Sequence, residues 1–269
     1  MTFQPVVPLG GLNGWIFLQR TAEVQQETYS NSGLIARETE DFRSRIGEVQ
    51  TAEALVADRI LLKVALGAFG LSEDIDNKFF IQTVLSEGAT DDGSLANKLA
   101  DKRYLEFAKA FGFGEERAPL TSEPGFADTI VNAYETRSFE EAVGEQDENM
   151  RLALGLEREL GTIAERSVSN DTKWFSIMGN PPLRAVFETT FSLPSSFGTL
   201  PIDQQLETLK DRAQSILGSD DVSNFSNEEA LDDLTNKFLL NAQVQAFQAA
   251  QGGSAALTLL QNIPRLNLV

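Results

Sequence analysis

The chain contains no cysteine and no histidine. No disulfide can form, no thiolate or imidazole is available for nucleophilic or general-base chemistry, and zinc sites of the usual N/S type are excluded. Basic residues are scarce as well: 22 Lys and Arg stand against 40 Asp and Glu, a formal charge of −18. Nucleic acid is thereby disfavoured as a partner, because phosphate contacts need clustered Lys and Arg. The phosphate-cradling G-x-x-x-x-G-K-[ST] loop, the dinucleotide G-x-G-x-x-G, the G-x-S-x-G elbow and the S-x-x-K pair are all missing. No catalytic, cofactor-binding or metal-ligating residue can be named on this basis, and the expectation is a protein that is not an enzyme and carries no cofactor.

Long clean hydrophobic runs are also lacking. The first 19 residues are uncharged, yet Pro5, Pro8, Gly10, Gly11 and Gly14 interrupt them and no basic stretch precedes them, so no signal peptide is expected. The 27 uncharged residues between Lys237 and Arg265 are too polar for a membrane span, with Asn241, Gln243, Gln245, Gln248 and the Gly252-Gly253 pair among them. No cellular compartment follows from this.

What is present is a helical pattern. Proline is absent between Pro8 and Pro119 and again between Pro124 and Pro181, which leaves room for long helices. Phe126, Ile130 and Tyr134 recur every four residues, and Met150, Ala153, Leu154, Leu160 and Ala164 keep a three-or-four spacing. Ser138 with Glu141 and Ser226 with Glu229 fit the Ser-x-x-Glu capping box, and Asn180 before Pro181-Pro182 reads as a cap followed by first-turn proline. Three similar stops, Phe69-Gly70-Leu71, Phe111-Gly112-Phe113 and Phe191-Ser192-Leu193, each end an apolar stretch in the manner of a Schellman ending. After the first stop, Ser72 is placed to cap the next helix.

Two stretches repeat. At an offset of 122, Leu61/Leu183, Val64/Val186, Phe69/Phe191 and Leu71/Leu193 coincide; after a five-residue insertion Ile75-Asp76 meets Ile202-Asp203 and Phe79 meets Leu206. The fold class predicted is all-α: a multihelical bundle with an internal duplication of a helical-hairpin unit. One compact helical domain over 1–269 is expected, its related sub-units at about 51–118 and 169–269 joined by long helices at about 123–166.

Acidic clusters at Glu73-Asp74-Asp76, Glu140-Glu141-Glu145-Asp147-Glu148, Asp220-Asp221 and Glu228-Glu229-Asp232-Asp233 fall mainly where helices should begin, and are read as solvated first turns. None has the calcium-loop spacing of an EF-hand. Gly112-Phe113-Gly114 is read as a helix ending. Gly252-Gly253-Ser254 could present free N–H groups at a helix start. Trp15, Trp174 and Phe175 are assigned to the core rather than to a ligand pocket. In the last helix, Leu231, Leu234 and Phe238 share one face while Leu240, Val244 and Phe247 share another, and those last three are the candidate partner-binding residues.

Several segments then carry a resemblance. Asn180-Pro181-Pro182-Leu183-Arg184-Ala185-Val186-Phe187-Glu188 running on to Phe197, YETRSFEEAVGEQDENMRLAL from Tyr134 to Leu154, and VADRILLKVALGAFGL from Val56 to Leu71 resemble the bacterial family catalogued as domain of unknown function 1217. The likeness extends from about Gln4 to Leu260. It implies a multihelical, internally duplicated protein of alphaproteobacteria, often encoded among flagellar genes, and hence a flagellum-associated role; the family carries no established catalytic residue. The leading expectation is a non-enzymatic role in flagellar assembly or function exerted through protein–protein interaction. Two alternatives stand beside it: a helical binding module or hydrolase with a carboxylate-built small-molecule or metal site, and a cytoplasmic assembly chaperone for an axial subunit. A protein partner is expected, of identity and stoichiometry that the residues do not specify.

Overall fold

The computed structural model describes residues 3–116 and 118–261, with side chains to residue 250. Thirteen α-helices, and no strand, occur among the described residues. They are α1 (Gly11–Ser30), α2 (Ile35–Arg45), α3 (Ala52–Ala57), α4 (Arg59–Gly67), α5 (Lys78–Glu87), α6 (Leu95–Lys98) and α7 (Arg103–Phe111). There follow α8 (Phe126–Gly144), α9 (Glu148–Ala164), α10 (Asn170–Met178), α11 (Pro181–Thr190), α12 (Ile202–Leu217) and α13 (Glu228–Gln261). The all-α expectation holds.

Apolar side chains gather in two main clusters. The first draws on α2, α3, α4, α5, α7 and the opening turns of α8, where Phe126, Ile130 and Tyr134 are buried. The second takes Trp15 and Leu18 of α1, Phe139 and Val143 from the end of α8, and the inner faces of α9 to α13. One helix thus serves both cores, because its apolar face rotates from the first cluster to the second over its length. Trp15 and Trp174 are core residues as expected, and the indole of Trp174 donates to the Asp220 carbonyl at 2.9 Å. Phe175 is a correction: it is 39% exposed, since the buried face of α10 passes through Trp174, Ile177 and Met178.

The helix boundaries are built as local chemistry dictates, with four exceptions. Asn180 caps α11, its side chain accepting from the Leu183 N–H at 3.1 Å, with Pro181 and Pro182 in the first turn. Ser138, by contrast, is buried inside α8, because Phe139 and Val143 carry the helix on into the second core and it has no reason to restart. The cap of α13 is Asn227, which accepts from the Glu229 N–H at 2.8 Å; Ser226 is still the last residue of the preceding 3-10 turn, Val222–Ser226. Ser72 opens a 3-10 turn, Ser72–Asp76, without capping it; its hydroxyl donates to the Glu141 carboxylate at 2.9 Å, a stronger interaction than a neutral one. Gly252 and Gly253 lie within α13, so no helix starts there and the suggested anion site has no N-terminal N–H groups to offer.

The repeated stops form as expected. At the first, Gly70 sits at φ +68° while the Leu71 N–H reaches the Leu66 carbonyl and the Gly70 N–H the Gly67 carbonyl, the paired bonds of a Schellman ending. At the second, Ser192 at φ +50° is held by the same two bonds, Leu193 to Glu188 and Ser192 to Thr189. Gly112 makes the simpler single-bond ending to Ala108. Asp58, at the position that matches Asn180, likewise caps its helix, accepting from Ile60 and Leu61 at 3.0 and 3.1 Å. Past the corner the matched register ends: Ile75 and Asp76 belong to the 3-10 turn whereas Ile202 and Asp203 begin α12, and Phe79 is 83% exposed where Leu206 is buried. The likeness covers a cap, a helix and its corner.

Candidate functional site

Between the two cores lies a network of charge that periodicity places on an apolar face. Ile130, Tyr134, Arg137 and Glu141 follow one another at three- and four-residue steps along α8, so the stripe that starts greasy ends ionic. Helix α9 runs back against it. Arg158 gives both Glu140 carboxylate oxygens a bond from Nη2, at 2.9 and 2.8 Å. Arg137 Nη1 donates to Glu159 at 2.5 Å, and the other oxygen of Glu159 accepts from Asn180 Nδ2 at 2.6 Å. Asn180 therefore does two things: it starts α11 and it ties that start to the network. Arg103, paired with Asp101 at 2.7 Å, donates its Nη1 to the Gly70 carbonyl at the first corner.

Burial sorts the carboxylates. Glu140 and Glu141 are pushed above the ordinary glutamate range, first because burial disfavours charge, with Arg158 for Glu140 and Ser72 for Glu141 opposing it. Glu159 is buried too, and burial is its largest single influence; Arg137, Arg158 and Asn180 together outweigh it and hold the group below the ordinary range. Glu140 and Glu141 thus lie in the closing turns of α8, the first buried and the second half-buried, which corrects their reading as a solvated first turn. Asp147 and Glu148 of that cluster do open a helix, Asp147 capping α9 by accepting from the Asn149 N–H at 2.9 Å, whereas Glu145 is the C-cap of α8. Two donors stay unsatisfied among the described residues: the buried Nε–H groups of Arg137 and Arg158.

Beside the network opens a groove of about 770 Å³ between α7 on one wall and α9 and α10 on the other, floored by α8. Phe69, Leu105, Ala110, Ile130, Ala133 and Ile163 supply apolar surface, and Phe175 stands exposed on the rim. The walls meet closely at one end. The Lys102 N–H donates to the Gly179 carbonyl at 2.7 Å, and a Cβ on Gly179 would come within 2.7 Å of the Lys102 side chain, so only glycine allows this approach. Lys102 then turns its ammonium onto the Asn97 and Leu99 carbonyls at 3.0 and 2.9 Å. The groove was not foreseen: its residues come from four helices, α7 to α10, with the corner at Phe69 and the cap at Asn180, scattered over more than a hundred positions. The one readable trace was Arg137 and Glu141 continuing an apolar stripe.

The residues singled out on the last helix are found where a partner could reach them. Leu231, Leu234 and Phe238 are buried in the second core, whereas Leu240, Val244 and Phe247 are 50%, 45% and 64% exposed. Among the side chains described, Ala242 is the last buried one of α13, and every one from Gln243 to Ala250 is exposed. Asn241 fastens the helix by donating to the Thr190 carbonyl at 2.6 Å. Among the described residues, no group of three or more Asp and Glu side chains is arranged to hold a metal ion, and no helix is long and apolar enough to cross a membrane.

A family model described as Protein of unknown function (DUF1217) matches residues 68–231. A structural-genomics crystal structure of a protein from Agrobacterium tumefaciens is similar over 90% of this chain and 99% of that one, with a TM-score of 0.72 and 27% sequence identity. No curated protein matches.

Proposed function

This chain belongs to the DUF1217 family of proteins of unknown function, and we propose that it works by holding another protein, without catalysis, in the assembly or operation of the bacterial flagellum. The observation that carries the binding role is the end of α13. A helix whose inner face is anchored by Leu234, Phe238 and Leu239 continues past the core with Leu240, Val244 and Phe247 open to solvent. Apolar side chains at i, i+4 and i+7 are the spacing by which one helix docks on another or in a groove. The flagellar setting rests on the resemblance of the segments at 56–71, 134–154 and 180–197.

The test pairs a phenotype with a capture. Deleting the gene is expected to impair swimming or filament assembly, and the tagged protein is expected to co-purify a partner from cell extract. Val244→Glu with Phe247→Glu should abolish that capture and fail to restore swimming while leaving the melting temperature unchanged, because neither side chain belongs to the core. Normal flagella in the deletion strain under several growth conditions would refute the flagellar role; undiminished capture by the double variant would refute the assignment to α13.

A further inference from the structure

The groove between α7 and the α9–α10 wall is charged against the sign of the molecule. Its lining holds six of the 22 basic residues, Lys102, Arg103, Lys109, Arg137, Arg158 and Arg166, and two of the 40 acidic ones, Glu106 and Glu159. A random patch on a chain of charge −18 would lean the other way. Arg166 is exposed and has no ion pair among the described residues, and Lys109 has only a 3.7 Å contact with Glu106 along its own helix. Three of the arginines already face carboxylates, so the groove is poorly suited to a compact multivalent phosphate. Its surface, moreover, is largely apolar, with Ile130 and Ala133 on the floor, Phe69 beside them and the exposed Phe175 on the rim.

We propose that this groove is a second binding surface, separate from the end of α13, and that it takes an amphipathic helix of a partner protein, apolar on one face and acidic on its flanks. The apolar face would lie on Phe69, Leu105 and Phe175 while carboxylates meet Lys109 and Arg166 at the rim. Basic lining on a chain of net charge −18 also orients the approach of an acidic segment toward this groove.

The experiment uses the full chain and a fluorescein-labelled peptide of about 18 residues, five helical turns, with leucine at i, i+3, i+4 and i+7 repeats and glutamate elsewhere. The control peptide has lysine at each glutamate position. Anisotropy titration is expected to give at least about tenfold tighter binding of the acidic peptide, weakening with added salt. Lys109→Glu with Arg166→Glu should cut that affinity about tenfold or more, Phe175→Ser should weaken it too, and the α13 variant Val244→Glu/Phe247→Glu should leave it unchanged. Lys109 and Arg166 are both exposed, so thermal melts should confirm that the reversed variant stays folded. Equal binding of the two peptides, or indifference to the charge reversal, overturns the proposal. So does self-association abolished by the same reversal, which assigns the groove to a second copy of the chain, and so does tighter capture through these residues of an oligouridylate or of phosphatidylglycerol vesicles.

Discussion

The two corners, Phe69-Gly70-Leu71 and Phe191-Ser192-Leu193, share backbone bonds and differ in what covers them. At the first, the spare carbonyl of Gly70 is met by the Arg103 guanidinium, from a helix beginning more than thirty residues away. At the second, the carbonyls of Thr189 and Thr190 are met by the side-chain amides of Gln245 and Asn241 on α13. Each supplies a donor to carbonyls at or just past a helix C-terminus, the first a cation that also complements the dipole and the second neutral amides. The difference follows from position. The first corner borders the ionic network and the groove, where a guanidinium can pair with Asp101 and donate to the corner at once; the second is roofed by the last helix. An identical local ending is therefore compatible with two kinds of surroundings, and only the surroundings distinguish a potential binding region from a packed one.

The largest test of this pairing lies in the cores beneath the corners. Phe111 is fully buried in a run of ring contacts with Phe107, Phe113 and Phe126, and Trp174 is fully buried against Phe187. Phe111→Ala and Trp174→Ala are each expected to lose about 3–5 kcal/mol of stability in urea melts, and a loss under about 1 kcal/mol at either site would show that its core collapses around the gap. The corners themselves come next. Gly70→Ala should cost about 1–2 kcal/mol, because a side chain at φ +68° is strained and its Cβ would lie 3.4 Å from Arg103 Nη1. Ser192→Gly should stabilise by about 1 kcal/mol, since Ser192 is the one non-glycine residue at positive φ among those described. Effects of equal size and opposite sign at the two corners would mean that their shared backbone sets the energy; clearly unequal sizes would assign it to their coverings.

The smallest expected effect is proton-linked. Glu140 and Glu141 bind a proton more readily folded than unfolded, so their contribution to stability is greatest at low pH and is lost as pH rises through their elevated folded values. Glu159 has the opposite sign: its contribution is present above the ordinary glutamate value of about 4.5 and is lost as pH falls through its lowered one. Melting temperature should therefore rise modestly as pH falls from neutral toward the ordinary glutamate value of about 4.5, and fall again as pH drops below it. Glu141→Gln, which can still accept from Ser72, should flatten the upper limb by about 2 °C; an unchanged slope would place the linkage elsewhere.

Much of the fold was legible because its signals are short. The cap at Asn180, the corners at Gly70 and Ser192 and the stripe of Phe126, Ile130 and Tyr134 each depend on residues within a few positions of one another. Ser138 was misread for the same reason: a capping box is a local pattern, and nothing local shows that the apolar face runs on to Phe139 and Val143. The exposed face of Leu240, Val244 and Phe247 could be named from spacing, but not which of the two apolar faces of α13 the core would take. The groove was out of reach, since no property of Lys109, Arg166 or Phe175 in the chain anticipates their meeting.

By itself the order of residues determined that this is a helical, acidic protein without thiol or imidazole chemistry, and where most helices start and stop, because hydrogen bonds inside a turn and 3.6-residue periodicity are settled within one or two turns. Tertiary packing alone decided that Arg137, Glu140, Arg158 and Glu159 would share a junction between two cores and that scarce basic residues would gather beside it. Those pairings act through space between helices far apart in the chain, and their strength comes from the burial that packing creates.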